Sequence, residues 1–316
     1  MPDFAYIYTM IRLSLIIATY NRAGQMLRAL ESVVAQDAPA GEWECVVVNN
    51  NSTDDTAARF AEFAARHAEF NLRMVTERNQ GLSHARNRGI AESTGELIAV
   101  IDDDERINAG FVRAYIAFFD AWPGAEAAGG KIIPEYPSGR PDWLSPLTER
   151  PIANPLDLGD AVCEFPASRI PGGGNMAIRR RIVERFGAFD VTLGRVGGKL
   201  VGGEESDFFE RLRAGGIRLW YVPEAVMWHI IPLSKLTSDY FRRLSYHVGE
   251  SQRQRAKMHG RYAKALLVEA GKWCASLLLA CTLTPRRSLW LLRMRWGITR
   301  GLLARACSGC CRGLRC

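Results

Sequence analysis

No stretch of this 316-residue chain offers the ~20 consecutive apolar residues that a membrane-spanning helix requires. The nearest approach, 265–283, is broken by Glu269 and Lys272. Cysteine is sparse where a core would use it. Of eight, Cys307, Cys310, Cys311 and Cys316 crowd the last ten residues, while Cys45 and Cys163 stand alone. That spacing argues against a disulfide framework, and a zinc site in the tail lacks a second ligand pair. The opening MPDFAYIYTMIR has no basic region leading into a long apolar core, so no signal peptide and a reducing cytoplasm are expected. Residues 1–9 are expected to form a disordered extension before Met10. The glycines at 172–174 are not followed by Lys-Ser/Thr, which excludes a P-loop.

Charge is unevenly placed. From Ser251 onward there are 14 Lys/Arg and one acid, a net +13, whereas residues 1–250 carry a net −6. A basic tail on a mildly acidic body is no nucleic-acid signature spread over a fold. The tail is also apolar: Leu266, Leu267, Val268, Trp273, Leu277–Leu279, Trp290 and Trp296 alternate with Arg293, Arg295, Arg300 and Arg305. Trp, Leu and Arg together suit the interface of an anionic bilayer. The competing reading is a helical hairpin packed on the body or on a second subunit.

What is present is most telling at 98–105, IAVIDDDE. An apolar run fit for a buried strand ends in three aspartates, and bare carboxylates cannot stay inside. Side chains alternate along extended backbone, so Asp102 and Asp104 leave on one side. Two hard oxygen ligands there suit Mg²⁺ or Mn²⁺ bridging to phosphates. The bland alternative is a solvated acidic turn. Upstream, strand signals at 13–18, 45–48, 72–75 and 97–102 alternate with helix signals, which predicts βαβ units and a parallel sheet. Asp54 and Asp55 are expected in a first helical turn, with Asn51 or Ser52 capping it. Ligands of such sheets bind beyond the carboxyl ends of the strands. Those ends carry Thr19-Tyr20-Asn21, Asn49-Asn50-Asn51 and Asp102-Asp103-Asp104, three polar clusters on one edge. Spacing alone implies a nucleotide or phosphate site.

ATYNR (18–22), VVNNNSTDDT (47–56), NQGLSHARNRGI (79–90), GELIAVIDDDE (95–105), GGGNMAIRR (172–180) and GGEESDFFERLRAGG (202–216) follow in order. In this order the motifs resemble a family 2 glycosyltransferase over roughly residues 11–230. The resemblance implies an α/β GT-A fold, Rossmann-like, with a mostly parallel central sheet flanked by helices and a C-terminal helical appendage. It divides the chain into 11–235, with a nucleotide-sugar half (11–107) and an acceptor half (108–235), and a basic tail, 236–316.

The resemblance also implies roles. Thr19, Asn21, Arg22, Asn49 and Asn51 would hold the nucleoside. Asn49 stands where relatives usually have Asp, which leaves the base of the nucleotide open between UDP-, GDP- and dTDP-sugars. Arg86, Asn87 and Asp103 would lie at the donor, Arg86 on its diphosphate. Asp102 and Asp104 would bind Mn²⁺ or Mg²⁺, with His229 as a third ligand. Gly173, Gly174 and Asn175 would face the acceptor. Glu205, where relatives usually carry Asp, would be the general base of an inverting single displacement, with Glu204 and Asp207 as alternatives. The acceptor would be a glycan or lipid-linked saccharide of the cell envelope, reached by an enzyme peripheral to the inner membrane face. No Gln-x-x-Arg-Trp element follows, which favours one sugar per encounter. A degenerate nucleotide-sugar binder and a nucleotidyltransferase remain as alternatives. The latter would want a glycine-rich, basic loop after the first strand, where ATYNRAGQ has one Gly and one Arg.

Overall fold

The computed structural model describes residues 10–197 and 200–304. The expected extension at 1–9 and the cysteine cluster at 307–316 lie outside the described residues, as does Arg305. The elements run β1 (Leu13–Thr19), α1 (Ala23–Val33), β2 (Trp43–Asn49), α2 (Thr56–Arg66), β3 (Leu72–Thr76), α3 (Leu82–Glu92), β4 (Leu97–Asp102) and β5 (Glu105–Ile107). Then come α4 (Phe111–Ala121), β6 (Ala127–Glu135), α5 (Pro146–Ala153), β7 (Cys163–Glu164), β8 (Met176–Arg179), α6 (Arg180–Phe186), α7 (Glu204–Ala214) and β9 (Leu219–Ile230). Three helices close the described chain: α8 (Ser238–Met258), α9 (Tyr262–Ala280) and α10 (Pro285–Leu303).

One nine-stranded sheet carries the molecule, in the order β3-β2-β1-β4-β8-β6-β9-β5, with β7 on β9. The first four strands are mutually parallel; β8 then runs antiparallel between β4 and β6. β1 and β2 are buried at every position because both faces of the sheet are covered, so they read as continuous apolar runs rather than alternating ones. Register fixes where the polar clusters land. Thr19 pairs with Asn49 and Ala18 with Asp102, so all three strands end at one edge.

Local differences from the sequence reading have simple causes. Asp54 and Asp55 precede α2 instead of sitting in its first turn, and Asp54 accepts the Thr56 backbone N–H at 3.1 Å. Asn51 and Ser52 therefore do not cap that helix; the Ser52 hydroxyl accepts from the Asn21 backbone instead.

A second apolar cluster joins the C-terminal helices to the body. Trp143 stacks on Trp290 with ring centroids 4.0 Å apart, and Phe241 packs edge-on against both. Backbones of α8 and α10 touch through glycine: a Cβ at Gly249 would lie 1.9 Å from the Ile298 carbonyl oxygen, and one at Gly301 2.0 Å from that of Tyr246. The hairpin reading of the tail thus describes α10, whereas α9 leaves Leu267 and Leu278 about three-quarters exposed (75% and 74%). None of the described helices is long and apolar enough to cross a membrane.

Gly301→Val should force α10 off α8 and lower stability by about 1–3 kcal/mol, read as a fall in the urea midpoint at unchanged slope.

Candidate active site

The acidic run turns as it leaves the sheet, and its carboxyls part company. Asp103 points back to β1, where it accepts from the Thr19 hydroxyl and the Arg22 guanidinium, both at 2.9 Å. Asp104 faces β9: Lys235 Nζ lies 2.6 Å from one oxygen and His229 Nε2 3.8 Å from the other. Glu105 folds back to accept the Asp102 backbone N–H at 2.7 Å. One oxygen each from Asp102, Asp104 and Glu105 lie within 4.8 Å of one another.

Burial sets the protonation of this group. It pushes the Asp103 carboxyl up to about 6 even with Arg22 opposing. It pushes Glu105 well above its ordinary range, helped by the Asp102 and Asp104 charges. Burial also works against the Asp104 anion, yet Lys235, His229 and Arg22 together hold that carboxyl well below the usual range. His229 is lowered by burial, and its Nδ1 meets the Ala153 carbonyl at 3.0 Å. A neutral ring facing a carbonyl through Nδ1 carries its proton there and leaves the Nε2 lone pair to accept from Lys235 Nζ, 3.4 Å away.

Arg86 is the centre of the second half of the site. It is wholly buried and reaches Asp102 at 2.9 Å, Glu205 at 3.1 Å, Glu204 at 3.2 Å and the Gly173 carbonyl at 3.2 Å. One guanidinium thus ties α3 to the end of β4, the start of α7 and the glycine loop. The loop must be glycine for the acids' sake: a Cβ at Gly173 would meet Glu205 Oε1 at 1.9 Å, and one at Gly174 would meet Glu105 Oε1 at 1.9 Å. Glu204 is pushed up to about 8, by burial first and then by the Glu205 charge, and its Oε2 has no hydrogen-bond partner.

Two cavities flank α7. A cleft of ≈450 Å³ is walled by Tyr20, Arg22, Asn50, Asp102, Glu204 and Arg255, among others. A second of ≈370 Å³ lies toward α5 and the loop before β8, with Gly173, Ser206 and Arg213 on its wall. Glu205 lines both.

Thr19, Arg22, Asp102, Asp103, Asp104, Glu204 and Glu205 therefore meet at one cleft. Other expectations are corrected. Arg86 does not stand open to a diphosphate; it is spent on acids inside. The Asn87 amide is used on Phe189, donating to its carbonyl at 2.8 Å and accepting its N–H at 3.0 Å, so Asn87 braces the 189 loop. Asn175 is fully buried, donating to the Lys131 and Ala225 carbonyls, and does not face an acceptor. Gly174 packs on Glu105, so of the three expected acceptor residues, Gly173, Gly174 and Asn175, Gly173 alone lines the second cavity, beside Gly172. Both Asp207 oxygens are taken, by Arg211 at 2.9 Å and His259 at 3.1 Å, which removes it as a base. Asn21, Asn49 and Asn51 lie off the cleft wall. Asn21 Oδ1 accepts from the Thr53 backbone, Asn49 Oδ1 accepts from Ser52, and Asn51 is exposed in a left-handed turn (φ 65°).

Reading the sequence missed four residues. Asn50 organises the cleft wall, donating to the Glu77 and Asn79 carbonyls and accepting from the Gly81 backbone. Glu105 was in plain view beside the aspartates. Lys235 and Arg255 come from segments with no local signal.

A nine-stranded α/β sheet with an acid cluster beyond the ends of its parallel strands has the architecture of the GT-A fold. The sequence pattern of Glycosyl transferase family 2 matches residues 14–187. The chain belongs to this family and is a glycosyltransferase. It is 25% identical over 258 residues to the glucosyl-dolichyl phosphate glucuronosyltransferase of Haloferax volcanii, with 77% of each chain covered. It is 24% identical over 298 residues to the succinoglycan biosynthesis protein ExoM of Rhizobium meliloti, with 91% of each covered. Among solved structures, the mannosyltransferase PcManGT of Pyrobaculum calidifontis, in complex with GDP-Man and Mn²⁺, superposes with a TM-score of 0.59 at 19% identity. That match covers 92% of this chain and 87% of the other. This membership sets the nucleotidyltransferase alternative aside.

Arg86→Met should strand one buried carboxyl, Glu204, and two partly buried ones, Asp102 and Glu205, and cost about 3–5 kcal/mol in chemical unfolding. Glu204 gives a pH signature. Its folded pKa of about 8 lies above the ordinary 4.5, so between these values the folded chain holds a proton that the unfolded chain has released. That contribution is full below 4.5 and is lost as pH rises through about 8. Glu204→Gln lacks this dependence, so its Tm should fall less than that of wild type between pH 5 and pH 8.5.

Proposed function

We propose that the chain transfers a sugar from a nucleoside-diphosphate donor to an acceptor hydroxyl by a single inverting displacement. The observation that carries this reading is the position of Glu205, on the wall common to both cavities. The larger cleft takes the donor. Tyr20, 37% exposed, offers an aromatic face to the base, and Asn50 and Arg22 stand beside it. The second cavity takes the acceptor. Glu205 accepts the proton of the attacking hydroxyl, the oxygen bonds the anomeric carbon, and the nucleoside diphosphate leaves from the opposite face. Arg86 orients Glu205 by its 3.1 Å bond, so the base is held before the acceptor arrives.

The acid cluster suits a divalent cation. Six carboxyls (Asp102–Asp104, Glu105, Glu204 and Glu205) gather here, and all but Glu105 pair with one of three cations, Arg22, Arg86 and Lys235. Hard oxygen donors of this kind prefer Mg²⁺ or Mn²⁺. Asp102 and Asp104 would hold the ion, with His229 Nε2 as the nearby nitrogen donor. Once bound it would supply positive charge against the leaving diphosphate.

The acceptor is proposed to be a saccharide of the cell envelope, free or lipid-linked. The exposed side of α9 gives this a physical basis. Its charged residues are Lys264, Lys272 and Glu269, and Glu269 is buried against Arg295 at 3.1 Å. The face offered to solvent is therefore apolar and basic, as an anionic bilayer requires. Flotation should carry the protein with anionic vesicles and not with neutral ones; Leu267→Ser/Leu278→Ser should abolish it. Equal flotation with both vesicle types would count against this surface.

The enzymatic test is nucleoside diphosphate release from UDP-, GDP- and dTDP-sugars with Mn²⁺, with and without membrane lipid extract. One donor class should turn over. Glu205→Gln should slow transfer by roughly 10²–10⁴ while keeping nucleotide binding, and Asp104→Ala should abolish the response to metal. Full transfer by Glu205→Gln would move the base elsewhere.

A further inference from the structure

The second cavity is lined by four arginines, Arg150, Arg169, Arg213 and Arg255. Two of them are accounted for. Arg255 pairs with Glu210 at 2.8 Å. Arg213 donates to the carbonyls of Phe165, Pro166, Ala167 and Arg169, at 2.7–3.3 Å, and so shapes the loop that forms one wall. Arg150, on α5, and Arg169, on that loop, have no carboxylate within ion-pairing distance among the described residues. A single long contact, 3.4 Å to the Pro155 carbonyl, is all that the Arg169 guanidinium makes among the described residues. Partial burial and the Arg169 charge pull the Arg150 guanidinium below its ordinary range. Elsewhere Arg22, Arg73, Arg86, Arg140 and Arg211 each meet a carboxylate within 3.2 Å; Arg150 and Arg169 instead share a cavity wall with each other. Arg150, at the exposed rim, and the half-buried Arg169 repel each other across one cavity wall, and a bound anion would relieve that repulsion. Guanidinium forks match the paired oxygens of phosphate and carboxylate.

We infer that this cavity takes an anionic acceptor, a sugar bearing a phosphate or carboxylate group that Arg150 and Arg169 hold while its hydroxyl faces Glu205. The inference rests on the reading of Glu205 as base. It adds a selection rule: neutral sugars of the same shape are poor acceptors, because they leave the arginine pair uncompensated. The anion has two sources, the phosphate of a phosphate-linked saccharide or the carboxylate of a uronic acid in a growing polymer.

Calorimetry on the full chain distinguishes them, with the donor cleft first saturated by nucleoside diphosphate and Mg²⁺. The probes are glucose 1-phosphate, glucuronic acid and methyl glucoside. At least one charged sugar should bind about tenfold tighter than methyl glucoside in ~0.05 M salt, and the advantage should shrink in ~0.5 M salt. It should vanish in Arg150→Gln/Arg169→Gln. Tighter binding of the phosphate assigns a phosphate-linked acceptor; tighter binding of glucuronic acid assigns a uronate. Equal binding of methyl glucoside, or an undiminished advantage in the double variant, overturns the inference. The wild-type comparison needs no variant, so a double variant that fails to fold leaves the test standing. Should the anion preference fail while Glu205→Gln still abolishes transfer, only the acceptor assignment falls.

Discussion

A single buried guanidinium decides whether this site exists. Arg86 has no water to fall back on, and three carboxylates from two separate chain segments converge on it. A charge so placed is tolerable only when paired, and its partners are tolerable only when it is there. The sheet edge that carries Asp102 and the helix that carries Glu204 and Glu205 are therefore locked together through an electrostatic necessity. Apolar packing could bring these segments near each other; it could not fix the two carboxylates that face the cleft within hydrogen-bond distance of one atom group.

Around that lock the site is left with more negative charge than its cations balance. The excess explains features that look unrelated in the sequence. Glycine at 173 and 174 makes room for glutamates rather than for a ligand. Glu204 and Glu105 keep protons at pH values where exposed glutamates have lost them. Asp104 remains ionised because Lys235 arrives from beyond β9. Protons and Lys235 are alternative ways to neutralise the same cluster, and each carboxyl takes the one its surroundings allow.

The fold was legible because its signals are local. Short apolar runs at 13–18, 45–48 and 97–102 announce doubly covered parallel strands, and the polar triplets at their ends mark one edge. The acid cluster and Glu205 were legible for the same reason: they sit at element ends with motifs in order. What failed was the assignment of partners. Asn87, Asn175 and Asp207 are polar residues in the right segments, yet their side chains are consumed by backbone and neighbours whose identity depends on three-dimensional packing. Sequence spacing tells which residues emerge near an edge; it does not tell which hydrogen-bonding groups are already satisfied there. Lys235, Arg255 and the Arg150–Arg169 pair were invisible because each arrives from a loop or helix with no periodic or motif signal of its own.

The glycine seam between α8 and α10 has a temporal consequence. α8 forms one side of the larger cleft through Ser251 and Arg255, and Ser251 also accepts the Gly202 backbone N–H just before α7. Its seat depends on Ile298 and Gly301, which emerge from the ribosome long after the sheet strands. The strands that floor the cleft are therefore made first, and the wall that α8 supplies is seated last, when α10 packs against it.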